Sequence, residues 1–458
     1  MLNTFDWFGS HTFQHHKSDA ELRTLVSELQ PDAKKILNTE KPLNVRRLSD
    51  ARFVYSSEQI IAVSNITTNK GSSGNPSGKK AVRVLINALS ARQGGGQTYL
   101  NNVLTYLPRD GSVKVLLVAP ESLQLSFEHP YINRRAVPRL LENPFIRAIW
   151  EKTVLPRLAS KYEADVLFCP GGVGNSAPAG CKVVTMFRNM IPFDYKQRSK
   201  YPLGYERLRV WLLHRIMLRS MLDADLVIFI SQYAKQVIDH HVAGRNLLAI
   251  VIPHGIARQF KIRVSSPPQS SAWRPPANYL LYVSYLDFYK AQVEVVQAFA
   301  LLKHLRQTSE KLLLVGPENP QYGNKVRHEI ERLGLIDDVF VTGALPYAEL
   351  PYLYQHAKIN LFASESENCP NILLEALAAG RPVLSSDRKP MPEFGGDGAL
   401  YFDPSNPAEL AAKLNSLLDD EVRMQELGAS AKRRAELYDW ERTATQTWGA
   451  IVGLVRSA

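Results

Sequence analysis

Two glutamates stand eight positions apart in the stretch ESENCPNILLEAL, residues 365–377, with an Asn-Cys-Pro-Asn step between them. Glu367 precedes this step, and Glu375 falls inside the apolar run that follows it. A glutamate near a helix start complements the helix dipole, which would explain one acidic residue there. Carboxylates also accept hydrogen bonds from sugar hydroxyls, and the N–H groups at a helix N-terminus bind phosphates. The pair therefore indicates a ligand that carries both hydroxyl and phosphate groups.

The elements around this stretch favour that chemical interpretation. The preceding run INLFAS reads as a strand, and the apolar run predicts a helix that starts at Pro370 and ends just before Gly380. Asn368 or Cys369 is the expected cap. In a strand–turn–helix unit of this kind, the helix N-terminus points to the sheet edge where ligands bind. A capping glutamate alone would not explain the second carboxylate or this setting.

Basic side chains concentrate in the stretch RSKYPLGYERLRVWLLHRIMLRS, residues 198–220. As a helix it is amphipathic, with Arg207, Arg209, Arg215 and Arg219 interleaved with apolar side chains. The pattern is typical of a core helix with a solvated basic face. It is also typical of a surface that rests on anionic lipid headgroups. The sequence leaves both interpretations open.

Size and composition predict a globular protein of two or three domains. The chain has 458 residues, of which 45% are hydrophobic and 22% are charged, and its net charge is +11. No apolar stretch approaches the length of a membrane span, and the N-terminus has no apolar signal core. Three scattered cysteines fit a reducing compartment and make no metal-ligand spacing. We therefore expect a cytoplasmic protein.

Apolar strands alternate with helical stretches twice along the chain, which is typical of parallel sheets covered by helices on both faces. The polar residues 1–80 precede this pattern and predict a partly disordered extension. The first α/β series covers 81–263, and a Pro- and Ser-rich linker follows at 264–277. The second series covers 278–435, and the strandless segment 436–458 predicts a helix that returns to the first domain. We predict two doubly wound, Rossmann-like domains that face each other across a cleft.

The stretch ESENCPNILLEALAAGRPVLSS resembles the Glu-x7-Glu signature of retaining glycosyltransferases of the GT-B fold, family 4. The stretches VIFISQYAK, VIPHGI, LLLVGPE and the YDWERTA tail resemble that family in the same order. The resemblance is dense over 228–445, thinner over 81–227, and does not extend to the first 80 residues. It implies transfer of a sugar from a nucleotide-sugar donor to a saccharide or lipid-linked acceptor, without a metal or another cofactor.

The resemblance also implies roles for individual residues of the second domain. Glu367 would contact the hydroxyls of the donor sugar, and Glu375 would hold the ribose of the nucleotide. Lys290, in YLDFYKA, matches the lysine that neutralises the donor diphosphate, where its charge would stabilise the leaving group. The remaining predicted donor-binding positions are Asn368, Cys369, Pro370 and Asn371.

In the first domain, Gly94, Gly95 and Gly96 match the family's glycine-rich first turn, which we assign to the acceptor side together with Asn189. Two positions depart from the family pattern. The family usually has an arginine five residues before the lysine, where this chain has Tyr285. It also often has a His-Asp pair before PF, where this chain has Arg188 and Asn189. Arg188 is the predicted third catalytic residue, facing the transferred sugar or an anionic acceptor.

Other functions fit the sequence less well. Asp223 and Asp225 spell Asp-x-Asp, but they open a strand and so lie away from the ligand edge; we expect no metal there. QGGGQT is not the dinucleotide fingerprint, which disfavours a nicotinamide enzyme. No clustered basic and aromatic pattern indicates nucleic-acid binding. A nucleotide-sugar epimerase on the same scaffold is the main alternative to a glycosyltransferase of bacterial cell-surface polysaccharide biosynthesis.

Overall fold

The computed structural model describes residues 80–91, 95–123, 125–174, 176–199, 204–242, 244–266 and 274–457. Residues 1–79 of the predicted N-terminal extension, and Gly94, lie outside these residues. The described chain forms two parallel sheets with helices packed against them. This arrangement confirms the predicted α/β class with two Rossmann-like units.

The first sheet has seven parallel strands in the order β3-β2-β1-β4-β5-β6-β7. Its strands are β1 Val82–Asn87, β2 Val113–Pro120, β3 Ile132–Val137, β4 Val166–Cys169, β5 Lys182–Phe187, β6 Leu226–Phe229 and β7 Ala249–Val251. The sequence pattern missed β3, INRRAV. It is an edge strand with four exposed residues in a row, so it lacks the apolar run that marks the other strands.

The second sheet has six parallel strands in the order β10-β9-β8-β11-β12-β13. They are β8 Tyr279–Val283, β9 Lys311–Val315, β10 Val339–Gly343, β11 Ile359–Phe362, β12 Val383–Ser386 and β13 Leu400–Phe402. All five residues of β8 and all four of β11 are buried, as expected for central strands with helices on both faces.

Helices alternate with these strands. Those of the first half are α1 Gly95–Thr105, α2 Pro144–Thr153, α3 Leu155–Tyr162, α4 Tyr195–Ser199, α5 Tyr205–Leu222, α6 Gln232–His241 and α7 Arg258–Lys261. Those of the second half are α8 Gln292–Leu305, α9 Pro320–Arg332, α10 Leu350–His356, α11 Asn371–Ala378, α12 Met391–Gly395, α13 Pro407–Leu418, α14 Glu421–Ala435 and α15 Trp440–Arg456. Short 3-10 turns include Arg139–Glu142, Phe288–Lys290 and Tyr347–Glu349.

The last helix, α15, packs against the first sheet rather than the second. Trp440, Ala444, Trp448 and Ile451 are buried in the same cluster as β1, β2 and α1. The Trp448 indole donates a 3.0 Å hydrogen bond to the carbonyl of Val103 in α1. The chain therefore crosses from the second sheet back to the first at its C-terminal end.

No helix among the described residues combines the length and the apolar character that crossing a bilayer requires.

Candidate active site

A cavity lies between the two halves of the described chain, and both halves line it. The first half contributes Gly95, Thr98, Arg188 and His254, among others. The second half contributes three of the predicted site residues, Lys290, Glu367 and Glu375, and the Asn368–Asn371 stretch between the glutamates. The predicted donor-binding residues are therefore together in one place, as are Gly95 and Arg188 from the other side.

Helix α11 begins at this cavity, one residue later than the sequence predicted. Its first helical residue is Asn371, and Pro370 is the N-cap and makes no side-chain capping bond. Neither Asn368 nor Cys369 caps it, so that expectation was wrong. The Asn368 side chain instead accepts from the Ser231 hydroxyl at 3.0 Å and donates to the Phe187 carbonyl at 3.1 Å, across the cleft. The N-terminus of α11 therefore has no side-chain cap and no acidic residue in its first turn. Such a helix start suits an anionic ligand.

The far end of α11 follows the prediction. Gly380 has φ of +67°, in the left-handed region that favours glycine, and it comes just after the C-cap Ala379. The eight-residue helix is thus held between an uncapped start at the cavity and a glycine stop.

Glu375 is a buried carboxylate, with 6% of its surface exposed. The Tyr347 hydroxyl donates a 2.8 Å hydrogen bond to its Oε1. Its Oε2 is buried and makes no well-formed hydrogen bond with the described residues, although the Tyr354 hydroxyl faces the same carboxylate. Burial raises the pKa of Glu375 to about 7, against the stabilising bond from Tyr347. A ligand hydroxyl donated to Oε2 would favour the ionised form.

Lys290 and Glu367 form an ion pair at the cavity wall. Lys290 is 4% exposed, and its Nζ lies 4.8 Å from the ring centroid of Tyr289 and 5.7 Å from that of Phe362. Both rings offer their faces to the cation. The pair balances charge in the ligand-free protein, and a bound diphosphate would compete with Glu367 for the lysine.

A strained turn positions Lys290. The residue after it, Ala291, has φ of +53°, a conformation that non-glycine residues rarely adopt. The Tyr282 hydroxyl donates to the Lys290 carbonyl at 2.7 Å, and Asp287 caps the preceding turn by accepting from the Phe288 N–H at 2.8 Å. Strain held by such surrounding bonds clusters at functional sites.

On the opposite wall, the guanidinium of Arg188 lies against the start of α1. A Cβ added at Gly95 would be 3.1 Å from Nη2 of Arg188, and one at Gly96 would be 3.5 Å from Nη1. Glycines at these two positions therefore let the arginine approach the helix backbone. Burial lowers the pKa of Arg188, and its face rests 5.8 Å from the ring centroid of Tyr99.

Of two other positions that the sequence analysis named, one lies outside the cavity lining and the other belongs to it. Asn189 is not among the cavity-lining residues, and its side chain accepts from the Ile191 N–H at 3.1 Å within its own turn. Its acceptor-side role stays a prediction. Tyr285 does line the cavity, where the family pattern has an arginine. Among the residues that the structure describes, Lys290 and Arg188 are the cationic side chains that line this cavity.

Asp223 and Asp225 lie at the amino end of β6. Asp225 accepts from the Val183 N–H at 2.7 Å and pairs with Lys182 at 3.1 Å, while Asp223 lies 3.5 Å from Arg219. Both carboxylates thus have local structural partners. Within the described residues there is no group of three potential metal ligands.

Polar contacts join the two halves around the cavity. Glu393 of α12 accepts from the N–H groups of Gln232 and Tyr233 at 2.7 and 2.9 Å, at the start of α6. Ser366 donates to Asp194 at 2.9 Å. The cleft between the two halves is therefore closed in this structure.

Sequence reasoning did not single out several cavity residues, among them Tyr347 and His254. Tyr347 lies in the turn between β10 and α10, 28 residues from the carboxylate it contacts, and no local pattern links them. His254 lies in the VIPHGI stretch, just after β7. Its place at the carboxyl end of a parallel strand was the available signal.

Two family models match the two halves in turn. "Glycosyltransferase Family 4" matches residues 93–260, and "Glycosyl transferases group 1" matches residues 266–434. Together they cover every strand of the two sheets except β1, and every cavity residue named above. The chain belongs to the group 1 / family 4 glycosyltransferases.

Individual relatives are more distant. The O-antigen chain mannosyltransferase B of Escherichia coli is 28% identical over 180 residues, 39% of this chain and 46% of that protein. This chain spans less than half the length of that relative. It also spans 43% of the D-inositol 3-phosphate glycosyltransferase of Paenarthrobacter aurescens.

Solved structures agree with the GT-B fold. A glycosyltransferase from Rickettsia africae superposes with a TM-score of 0.63 at 16% identity, over 83% of this chain and 100% of that one. Anabaena HepE in complex with UDP-glucose has a TM-score of 0.59 at 18% identity, over 81% of this chain and 99% of its own. At these identities, the likeness shows the fold alone.

Proposed function

We propose that this protein is a retaining glycosyltransferase that moves a sugar from a nucleotide-sugar donor to a saccharide or lipid-linked acceptor. The observation that carries the proposal is one cavity in which the uncapped start of α11, the buried Glu375 and the Lys290–Glu367 pair converge. A helix start suits a diphosphate, and the carboxylates suit hydroxyls. The O-antigen mannosyltransferase relative favours a role in polysaccharide biosynthesis, which we place in the cytoplasm, and the HepE complex favours a nucleotide-sugar donor.

In the proposed reaction, the bond between the sugar C1 and the phosphate oxygen breaks, and a bond from the acceptor oxygen to C1 forms on the same face. The acceptor proton leaves with the nucleoside diphosphate. Lys290 stabilises the charge that develops on the leaving diphosphate, with the α11 N-terminus beside it. Glu367 orients the sugar, Glu375 holds the ribose, and Arg188 faces the transferred sugar or the acceptor. Family membership does not favour the epimerase alternative.

A panel of nucleotide sugars, including UDP-glucose and GDP-mannose, tests the donor assignment by thermal shift and saturation-transfer NMR. We expect one or more of these nucleotide sugars to raise the melting temperature of the protein and to receive magnetic saturation from it in the NMR experiment. Binding by none of the panel, with the protein folded, would contradict the proposal.

We also propose that the reaction needs no divalent metal, because charge on the diphosphate is met by Lys290 and the helix start. Activity with the identified donor should therefore survive EDTA. Loss of activity in EDTA and its return with Mg²⁺ or Mn²⁺ would count against this and would reopen Asp223 and Asp225.

The basic helix α5 favours a peripheral position on an anionic membrane, where a lipid-linked acceptor would be found. Its Leu208 and Leu212 are 53% and 48% exposed, beside exposed Arg215 and Arg219. Buried side chains of α5 pack on β5 and β6, so the leucines are not its core face. Exposed apolar residues with basic neighbours fit anionic headgroups.

A second apolar patch lies on the same side of the first sheet. Leu140, Phe145 and Ile149, in and just before α2, are 66%, 67% and 65% exposed. The α2–α3 segment and α5 both pack on the sheet face opposite α1 and α15, because their clusters share no strand side chains with the α1–α15 cluster. We propose that this face of the first half rests on the bilayer.

A further inference from the structure

Two buried polar atoms on the first-half wall of the cavity have no hydrogen-bond partner among the described residues. They are Nε2 of His254 and Nε of Arg188. Both residues line the cavity, and both lie against the ring of Tyr99, with a His254–Tyr99 centroid distance of 5.5 Å. Buried polar groups in native proteins are nearly always paired. Unpaired atoms at a substrate cavity therefore call for a ligand.

The surroundings of His254 fix its ring. The ring packs against both Tyr99 and Trp440, which also contact each other, with a His254–Trp440 centroid distance of 5.4 Å. The next residue must be glycine, because a Cβ at Gly255 would be 2.2 Å from the backbone nitrogen of Trp440. The imidazole is 2% exposed and so has little freedom to turn towards another protein partner.

The hydrogen bond at the other ring nitrogen sets the tautomer. Nδ1 of His254 lies 3.1 Å from Oδ1 of Asn371, and the Cys369 thiol also approaches that oxygen at 3.9 Å. An amide oxygen only accepts, so Nδ1 carries the hydrogen. Burial and the charge of Arg188 lower the pKa of His254 to about 3, so the ring is neutral at pH 7. Nε2 is then a hydrogen-bond acceptor.

Arg188 supplies the opposite property. Its Nε carries a hydrogen and can only donate. The two terminal nitrogens of its guanidinium lie against Gly95 and Gly96, whereas the unpaired nitrogen is Nε. The wall thus offers one acceptor and one donor beside the same aromatic ring.

We propose that His254 Nε2 and Arg188 Nε form a subsite for one hydroxyl group of the sugar substrate. A hydroxyl donates and accepts at once, so it satisfies both atoms, whereas an anionic oxygen would be repelled by the Nε2 lone pair. The inference rests on the proposed glycosyltransferase function and adds a binding residue, His254, to it. The hydroxyl belongs to the transferred sugar or to the acceptor.

Three variants of His254 separate hydrogen bonding from packing. His254→Phe keeps an aromatic ring packed against Tyr99 and Trp440 and removes both nitrogens. His254→Gln places an amide near the position of Nε2, and His254→Asn places one near Nδ1. Each variant is assayed for kcat/KM with the donor that the panel identifies, with singly deoxygenated donors and acceptors, and for donor hydrolysis without acceptor. Thermal melting reports the fold.

We expect His254→Phe and His254→Asn to lose about tenfold or more in kcat/KM, and His254→Gln to recover most of that loss. The wild type should reject one deoxygenated analogue, and His254→Phe should no longer distinguish it from the parent substrate. If that analogue is a donor, donor hydrolysis falls in parallel and the hydroxyl is on the transferred sugar. If it is an acceptor, hydrolysis is unchanged.

A folded His254→Phe or His254→Asn protein with wild-type kcat/KM and unchanged discrimination would overturn the inference and leave a packing role only. That result differs from failure of the proposed function, in which the wild type binds no nucleotide sugar at all.

Discussion

Glu375 and Glu367 are chemically alike, but the protein treats them differently. Glu375 is buried inside α11 with a tyrosine donor, while Glu367 lies in the turn before the helix and pairs with Lys290. We propose that Glu375, inside the helix, binds a ligand group that stays in place, such as a ribose. Glu367, paired with the lysine, would then lie near the reacting bond.

Glu375→Ala should therefore weaken donor binding by about tenfold or more with an intact fold, whereas Glu367→Ala should mainly lower kcat. Calorimetric Kd values and steady-state kinetics with the identified donor measure the two effects. Glu409→Ala, whose side chain lies outside the cavity, is the control. Wild-type kinetics in both cavity variants would show that the site is assigned wrongly.

The raised pKa of Glu375 predicts a pH dependence of stability. The pKa of a glutamate in an unfolded chain is about 4.3, whereas burial raises the pKa of Glu375 to about 7 in the folded protein. The stability from keeping it protonated is complete below the lower value and is lost as pH rises to about 7. The free energy of unfolding of the wild type should thus fall over this range relative to Glu375→Gln.

Denaturant titrations of both proteins at pH 4.5, 5.5, 6.5 and 7.5 test the difference. A difference that does not change with pH, or that changes in the opposite direction, would show that Glu375 is ionised in the ligand-free cavity at low pH.

At the scale of elements, the two faces of a helix decide its role. Helix α5 buries Leu213, Met217 and Met221 and exposes leucines and arginines on its other side. Helix α15 buries its tryptophans on the first sheet. The exposed face of α5 therefore favours binding to a surface outside the chain, whereas α15 packs on the chain's own first sheet.

Replacing Arg207, Arg209 and Arg215 by glutamine should reduce sedimentation with vesicles that contain anionic lipid and make the remaining binding less salt-sensitive. Each basic residue near the surface contributes about 1 kcal/mol to such attraction. A variant with Lys325, Arg423 and Lys432 replaced by glutamine makes the same charge change on exposed sites of the second half. Equal losses in the two variants, or no binding by the wild type at low salt, would contradict the membrane proposal.

Trp448→Ala should destabilise the protein by about 3–5 kcal/mol, since it removes a buried indole and leaves a cavity. Trp448 is 2% exposed and also bonds to the Val103 carbonyl in α1. Trp448→Phe, which keeps an aromatic ring, should lose much less. Denaturant unfolding measures both, and a small loss in the alanine variant would mean that α15 is not held by this contact. Deleting 436–458 should have a larger effect than either.

At the scale of the whole molecule, catalysis requires that the two halves hold donor and acceptor together. Polar contacts join the two halves across the cleft, as suits a closure that must reopen. Glu393 is the clearest of these, because its carboxylate accepts from two N–H groups at the start of α6.

Glu393→Ala should therefore shift the ligand-free protein towards an open cleft. Small-angle scattering should show a larger radius of gyration than that of the wild type, and UDP should reduce it in both. Glu331→Ala, on an exposed position of α9, should leave the radius unchanged. If Glu393→Ala scatters like the wild type with and without UDP, this contact does not stabilise closure.

The division of labour between the halves stays a prediction that fragments can test. Residues 278–435 alone should bind nucleotide if they fold, because Lys290, Glu367 and Glu375 all lie there. Nucleotide binding by 81–260 instead would reverse the assignment.

Local sequence determined the repeated strand–helix order, because a strand buried on both faces must be continuously apolar. It also determined the approximate position of α11 and its Gly380 stop. It indicated Glu367 and Glu375 through their spacing and setting, and Lys290 through the resemblance to the family. It could not reveal β3, whose residues are exposed at an edge. Tertiary structure decided the contacts between distant segments. Tyr347 meets Glu375, Arg188 meets the glycines of α1, and His254 meets Asn371. Such contacts depend on how the two sheets are apposed, which no local pattern records.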